Sequence, residues 1–327
     1  MVKTLFNLND TLPISNYLVQ NRIIQSIVQV KEVTKAGDGN MNFTVRIKTE
    51  GDSFIFKQSR PYVEKYPQIP APEHRVSMES RFYQFVSHKK GVSDQMPEII
   101  HADSEQDVLI MQDLGELSSF EKIYVGDKIA TEEIDQLINW LKTLHSLSFT
   151  DAERVRLENR EMRILNHEHI FSLPLRKNNG VDLDAITPGL RHQAEQLKND
   201  QGFVERVEET GEWYLQNGRY LLHGDYYPAS WLQKDGKIFI IDTEFAFFGS
   251  KEFDYGIMWA HLILSGQATA VIDHFLSACG GLNLDVLARY AGVEIMRRLI
   301  GVAQLPIQLS LKQKKNLLEH SKMLVLK

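Results

Sequence analysis

The residues best suited to chemistry lie in one stretch, HGDYYPASWLQKDGKIFIIDTEFAFFG at residues 223–249. Asp225 follows a short apolar run, and Asp242 with Glu244 follows a second one, with a strand-turn-strand pattern over residues 231–241 between them. A hairpin of that length can bring both of its ends to one edge, so the three carboxylates are expected near each other. Mg²⁺ suits such a group, because it takes hard oxygen ligands and commonly binds one or two carboxylates plus substrate phosphates. Phosphoryl transfer asks little covalent help of a protein: a base orients a hydroxyl, metals neutralise charge and cations hold the phosphates. The competing reading is that Asp225 and Asp242 merely end strands, where Asp is common. Either residue alone supports no more than that, whereas the set, with Glu244 and the Asp235-Gly236 turn between, points to phosphoryl transfer.

These side chains need elements to hold them. Val28, Val30 and Val33, then Phe43, Val45 and Ile47, then Phe54 and Phe56 alternate over residues 26–58, which predicts an antiparallel meander. GDGN at residues 37–40 reads as its first turn, and EGD at residues 50–52 separates the next pair. Pro67, Pro70 and Pro72 punctuate a loop before a helix expected near residues 72–88, and short strands are expected over residues 98–102 and 108–111. Past Leu114 the pattern turns helical. Ile134, Leu137, Ile138, Leu141 and Leu144 recur at helical spacing behind Thr131, the expected N-cap, and a further helix is expected to start at Thr187-Pro188. Strands return as LLHGD and KIFIID between residues 220 and 248, and helices resume from Tyr255. The expected class is α+β, with a small strand-rich lobe over residues 1–112 and a larger, mainly helical lobe over residues 113–327. The length of 327 residues, beyond what one core usually serves, agrees with two lobes and a cleft.

Composition narrows the partners. Apolar and charged fractions of 43% and 24% belong to a folded globular chain. A net charge of −6 without a Lys/Arg block leaves no electrostatic footprint for nucleic acid. No segment approaches the ~20 apolar residues of a membrane span; the apolar piece at residues 255–264 is short and carries His261. Cys279 is the only cysteine, so no intrachain disulfide forms. The first residues show no signal-peptide pattern, and a cytoplasmic setting is expected.

In the 223–249 stretch the sequence resembles the kinase-like phosphotransferases that include aminoglycoside phosphotransferases, choline kinases and methylthioribose kinases. Their catalytic loop reads approximately HGDxxxxN, with a metal-binding Asp a short hairpin later. The likeness is nearest to the methylthioribose kinases and is spread over most of the chain. It includes DTE at residues 242–244 with EFAFFG and FDYG after it, Ser230 in the place of the usual Asn, and GDGNMN at residues 37–42. FKQSRPYV at residues 56–63 and MRRLIGVAQ at residues 296–304 extend it.

The resemblance implies a two-lobed protein-kinase-like fold that uses Mg²⁺ and ATP, with GTP left open. It makes Asp225 the base and Asp242 the principal metal ligand, with Glu244 and Ser230 beside it. Gly37, Asp38, Gly39 and Asn40 become the phosphate-covering turn, although a DG pair is also a common hairpin turn. Lys57 becomes the phosphate-binding lysine and Glu79 its ion-pair partner, where a surface lysine and a solvated glutamate are the rival reading. Met111 and Asp113 fall at the interlobe hinge that meets the base, and Asp254 braces the catalytic loop. Arg297, Arg298 and Tyr227 fall on the acceptor side, although an Arg pair on a helix is ordinarily a solvated face.

There are departures: Tyr226, Tyr227, Pro228 and Ala229 replace residues closer to Leu, His, Thr and Gly, and the chain is shorter than typical methylthioribose kinases. The expected function is a small-molecule kinase that moves a nucleotide's terminal phosphoryl group to a sugar-like hydroxyl. Kinases of aminoglycosides, choline, ethanolamine or other alcohols are the alternatives within the fold. A non-catalytic nucleotide-binding module is the alternative outside enzymes, and it would be marked by loss of Lys57, Asp225 or Asp242, all of which are present. The expected partners are a nucleotide and a small hydroxyl compound, without nucleic acid or membrane, and a homodimer is left open.

Overall fold

In a computed structural model, which describes residues 3–37, 39 and 41–327, the alternating pattern of the first third forms an antiparallel five-stranded sheet. Its strand order is Val30–Lys35, Phe43–Thr49, Ser53–Gln58, Val108–Gln112 and Ile99–Asp103. Val45, Ile47, Phe54, Phe56, Val108 and Ile110 bury one face against Phe6, Ile14, Tyr17 and Leu18. Three of those partners sit on a helix, Leu12–Gln20, that the sequence pattern did not announce because nine residues with a proline at the start give little periodicity. The helix Arg75–Val86 covers the other face, with Val76 packed on Leu109 and Met111. Side chains alternate along a strand, so Phe56 turns to the N-terminal helix and Lys57 to the helix Arg75–Val86.

The chain divides into two compact units. Met1–Leu117 joins with Phe239–Phe245 in the first, and Ser118–Ile238 joins with Ala246–Lys327 in the second. The expected single cut after residue 112 thus differs from what is found: the division follows Leu117, and the strip carrying Asp242 and Glu244 returns to the first unit.

In the second unit the helix Thr131–Ser146 begins at the residue expected to cap it, so its cap lies one position earlier than expected. Ala130 is the extended cap residue, and the Glu133 carboxylate accepts its amide at 2.8 Å. Thr187-Pro188 does not start a helix. Proline forces the preceding residue to be extended, so Thr187 closes the single turn Leu183–Ile186, and the next helix, Leu190–Lys198, starts behind Gly189 at φ +87°. Tyr220–Leu222 pairs with Phe247–Gly249, which fixes the ends of the chemically rich stretch. The strand Trp231–Lys234 turns at Asp235 (φ +50°) and Gly236 (φ +77°), the left-handed pair a tight hairpin requires. Among the described residues no helix is long and apolar enough to cross a membrane.

The helices Glu252–Leu264, Leu284–Ile300 and Leu311–Val325 pack together. Gly256 lets the first approach the second: a Cβ there would meet Tyr290 Cβ at 2.7 Å and the Leu287 carbonyl at 3.2 Å. Alanine is better than glycine in a helix by about 1 kcal/mol. The clash is with atoms at or beside the backbone, and overpacking costs about 1–3 kcal/mol. The expected outcome of Gly256→Ala is therefore a net loss of stability, read as a lower urea midpoint; a raised midpoint would contradict this packing.

Candidate functional site

Each unit holds a cluster of buried charge. In the first, Lys57 is buried at the end of its strand and donates to Glu79 Oε2 at 2.7 Å and to Asp242 Oδ1 at 2.6 Å. Burial opposes the ammonium, but Asp242, Glu79 and Glu244 outweigh it and hold the Lys57 pKa well above its ordinary value. Lys57 therefore stays charged. Burial pushes Glu79 up to about 7 against the pull of the Lys57 ammonium. Asp242 differs in being open, with 46% of its side chain exposed. Its backbone lies at φ +64°, in the left-handed region, where the strand Lys237–Ile240 gives way to the 3₁₀ turn Thr243–Phe245. Glu244, in that turn, is buried instead. Asn42 Nδ2 donates to its Oε2 at 2.9 Å, and Arg75 Nε lies 3.3 Å from the same oxygen.

In the second unit, Asp225 follows a loop fixed by Asp254. The buried Asp254 carboxylate accepts the His223 amide at 2.9 Å and the Gly224 amide at 3.0 Å, and it lies 3.0 Å from His145 Nε2. Ser230 donates its hydroxyl to the Asp225 carbonyl at 3.1 Å and closes the loop from the other side. Tyr226 stacks on Trp140 and donates to the Leu137 carbonyl at 3.0 Å, so it serves the core. The Asp225 side chain is 24% exposed and faces Arg297 Nη2 at 3.8 Å and Arg298 Nη2 at 4.0 Å.

Behind the arginines stands Glu294, fully buried. It takes Arg297 Nε on Oε2, and on Oε1 it takes Arg298 Nε at 2.7 Å and His261 Nε2 at 3.0 Å. Tyr124 OH lies 2.6 Å from His261 Nδ1. A neutral imidazole protonated on Nε2 satisfies both neighbours, accepting from the phenol and donating to Glu294. The Arg298 guanidinium lies over the Tyr227 ring at 4.8 Å, and the Tyr227 and His261 rings are 5.3 Å apart.

The structure thus brings together Lys57, Glu79, Asp242 and Glu244 in one group, and Asp225, Arg297, Arg298 and Tyr227 in another. Gly37 (φ +67°) and Gly39 are exposed, with open space where a Cβ would stand; Asp38 and Asn40 lie outside the described residues. Met111 sits inside the sheet between Ile55 and Ile99, and the Asp113 carboxylate is engaged by Arg46, Ser53 and the Gly115 amide. Burial acts to raise Asp113, yet those donors hold it below its ordinary value.

Sequence reasoning missed Arg75, Glu294 and Tyr124, and quoted Asn42 only as the end of GDGNMN. Two signals were available. Glu294 precedes Arg297 and Arg298 by three and four positions, the spacing of contacts on one helix, and His261 interrupts an apolar stretch.

Residues 32–292 match the family described as "Phosphotransferase enzyme family". The chain is 26% identical over 255 residues to a methylthioribose kinase of Yersinia pseudotuberculosis, covering 74% of this chain and 60% of the relative. It is 26% identical over 251 residues to methylthioribose kinase 2 of Oryza sativa, covering 72% and 56%. The match therefore spans less than two thirds of the length of these curated relatives. Among solved structures, ethanolamine kinase of Plasmodium vivax superposes with a TM-score of 0.58 at 13% identity, covering 100% of this chain and 90% of that one.

Burial gives the second cluster a pH signature. It lowers the His261 pKa from 6.5 to about 4, helped by Arg298 and Arg297 and opposed by Glu294. Below pH 6.5 the unfolded chain binds a proton on this histidine that the native state refuses, so the contribution of His261 to native stability falls as pH drops from 6.5 towards 4, by up to about 3 kcal/mol. Glu294 is driven up by burial, but the arginines hold it well below 4.5, so its own loss begins only under that pH. Glu79, raised to about 7, contributes the opposite trend in both proteins, so the expected result in urea titrations is a wild-type midpoint that falls relative to that of His261→Gln as pH drops from 6.5 to 4.5. Equal slopes would contradict the assignment.

Proposed function

Since this chain belongs to the phosphotransferase enzyme family, we propose that it moves the terminal phosphoryl group of ATP to a hydroxyl of a small, sugar-like molecule of the methylthioribose type. The observation that carries this reading is the Lys57–Asp242 contact at 2.6 Å. It pairs a cation suited to phosphate with a half-exposed carboxylate suited to a metal.

Mg²⁺ fits this donor set. It is ordinarily held by one or two carboxylates together with substrate phosphates and not by an all-protein cage. Among the described residues no group of three or more His, Cys, Asp or Glu side chains forms such a cage, and Asp242 is the accessible carboxylate beside Lys57. When bound, the metal neutralises phosphate charge. Lys57 holds phosphate oxygens, and Glu79 keeps its ammonium in place.

Asp225 accepts the proton of the acceptor hydroxyl, its loop fixed by Asp254 and Ser230. Arg297 and Arg298 present planar arrays of donors to sugar hydroxyls and to the transferring group. Two guanidinium groups disfavour a polycationic acceptor such as an aminoglycoside. With Asp225 and Glu294 they balance to zero formal charge, which suits a neutral sugar.

The test is turnover of wild type and Asp225→Asn across pentose thio-sugars, amino alcohols and aminoglycosides. A base acts mainly in the transition state, so the variant is expected to lose about 10²- to 10⁴-fold in kcat while its nucleotide KM moves less than about threefold. Near-normal turnover by Asp225→Asn on an accepted substrate would contradict the role.

A further inference from the structure

Arg75 is fully buried and has no surface role, yet it meets five groups. Its Nη1 donates to the carbonyls of Arg60 at 2.9 Å and Pro72 at 2.6 Å, and its Nη2 donates to the Met41 carbonyl at 2.6 Å and Asn42 Oδ1 at 2.9 Å. Its Nε faces Glu244 Oε2 at 3.3 Å. Asn42 closes the ring by donating to that same oxygen. One guanidinium therefore ties the end of the glycine turn, the strand exit at Arg60 and the Asp242 segment into a single rigid unit.

We infer that Arg75 is a positioning residue for Asp242, and that Glu244 serves as the buried counter-charge of this anchor and not as a ligand for metal. The inference rests on the proposed metal role of Asp242. Two features support it independently. Glu244 is only 4% exposed, accepts from Asn42 and is ion-paired with Arg75 Nε at 3.3 Å, whereas Asp242, two residues earlier, is open. Asp242 also sits at φ +64°, a conformation that persists only when its surroundings over-determine it, and an anchored Glu244 supplies that restraint.

The metal test has a sign that distinguishes positioning from plain electrostatics. Removing a cation near a metal site should tighten metal binding by Coulomb attraction alone. Removing an anchor should weaken it. With the full chain and a saturating non-hydrolysable ATP analogue, Mn²⁺ titrated into Arg75→Gln is expected to bind at least about tenfold more weakly than into wild type. Unchanged or tighter Mn²⁺ binding by a folded Arg75→Gln would overturn the inference.

Arg75→Gln alone leaves the buried Glu244 without the Arg75 counter-charge and can fail to fold. A urea cycle with Glu244→Gln and the double variant covers that case: the double is expected to be at least as stable as Arg75→Gln. A double variant that adds the two single losses would overturn the anchor. So would a Glu244→Gln that keeps the wild-type urea midpoint while losing Mn²⁺ as completely as Asp242→Asn. Failure of wild type to bind Mn²⁺ and nucleotide would instead contradict the proposed function, and the urea cycle would still decide the anchor.

Discussion

Burying an ammonium costs several kcal/mol unless counter-charge comes with it, and much of the first unit answers that requirement at Lys57. The strand Ser53–Gln58 turns Lys57 away from the Phe56 face, so its partners must come from the other side of the sheet. Glu79 comes from the helix Arg75–Val86, and Asp242 comes from a strip far away in sequence that joins this unit. The two carboxylates are not equivalent. Glu79 is sealed in, so burial works against its charge, while Asp242 remains open to solvent. Both hold the lysine, and of the two only Asp242 also stays exposed.

The second unit solves the converse problem, in which two buried guanidinium groups share one buried carboxylate. Glu294 takes an Nε from each arginine, which leaves their outer nitrogens directed to Asp225 at 3.8 and 4.0 Å. A neutral His261, held by Tyr124, fills the remaining position on Glu294 without adding charge. In both units a buried acid, Glu79 or Glu294, pairs with cations that also face a more exposed aspartate. Removing one member of such a group exposes the rest to an uncompensated burial cost of about 3–5 kcal/mol.

Much of this was legible in the sequence because it was local. The alternation of Val45, Ile47, Phe54 and Phe56 specified strands, and the Asp235-Gly236 turn specified a hairpin. The sheet and the helical remainder follow as expected. What was not legible depended on contacts between distant residues or on single backbone angles. The sequence reading grouped Glu244 with Asp242, the principal member, as metal-binding carboxylates, and only their surroundings separate them into an open residue and a buried one. Arg75 carries no local sign of its role, since its partners come from residues 41–42, 60, 72 and 244. The helix at Leu190 was misplaced because Thr187-Pro188 imitates a start signal, while the residue that begins the helix is Gly189 in the left-handed conformation.

The central claim, transfer of a phosphoryl group to a small hydroxyl compound, is tested most directly by ³¹P NMR of the purified chain with ATP, Mg²⁺ and methylthioribose. The account predicts that the γ-phosphorus signal declines in step with the growth of ADP and of a phosphate-monoester signal on the sugar. Persistence of intact ATP, or appearance of the γ-phosphorus only as inorganic phosphate with this and every other alcohol acceptor tried, would contradict it.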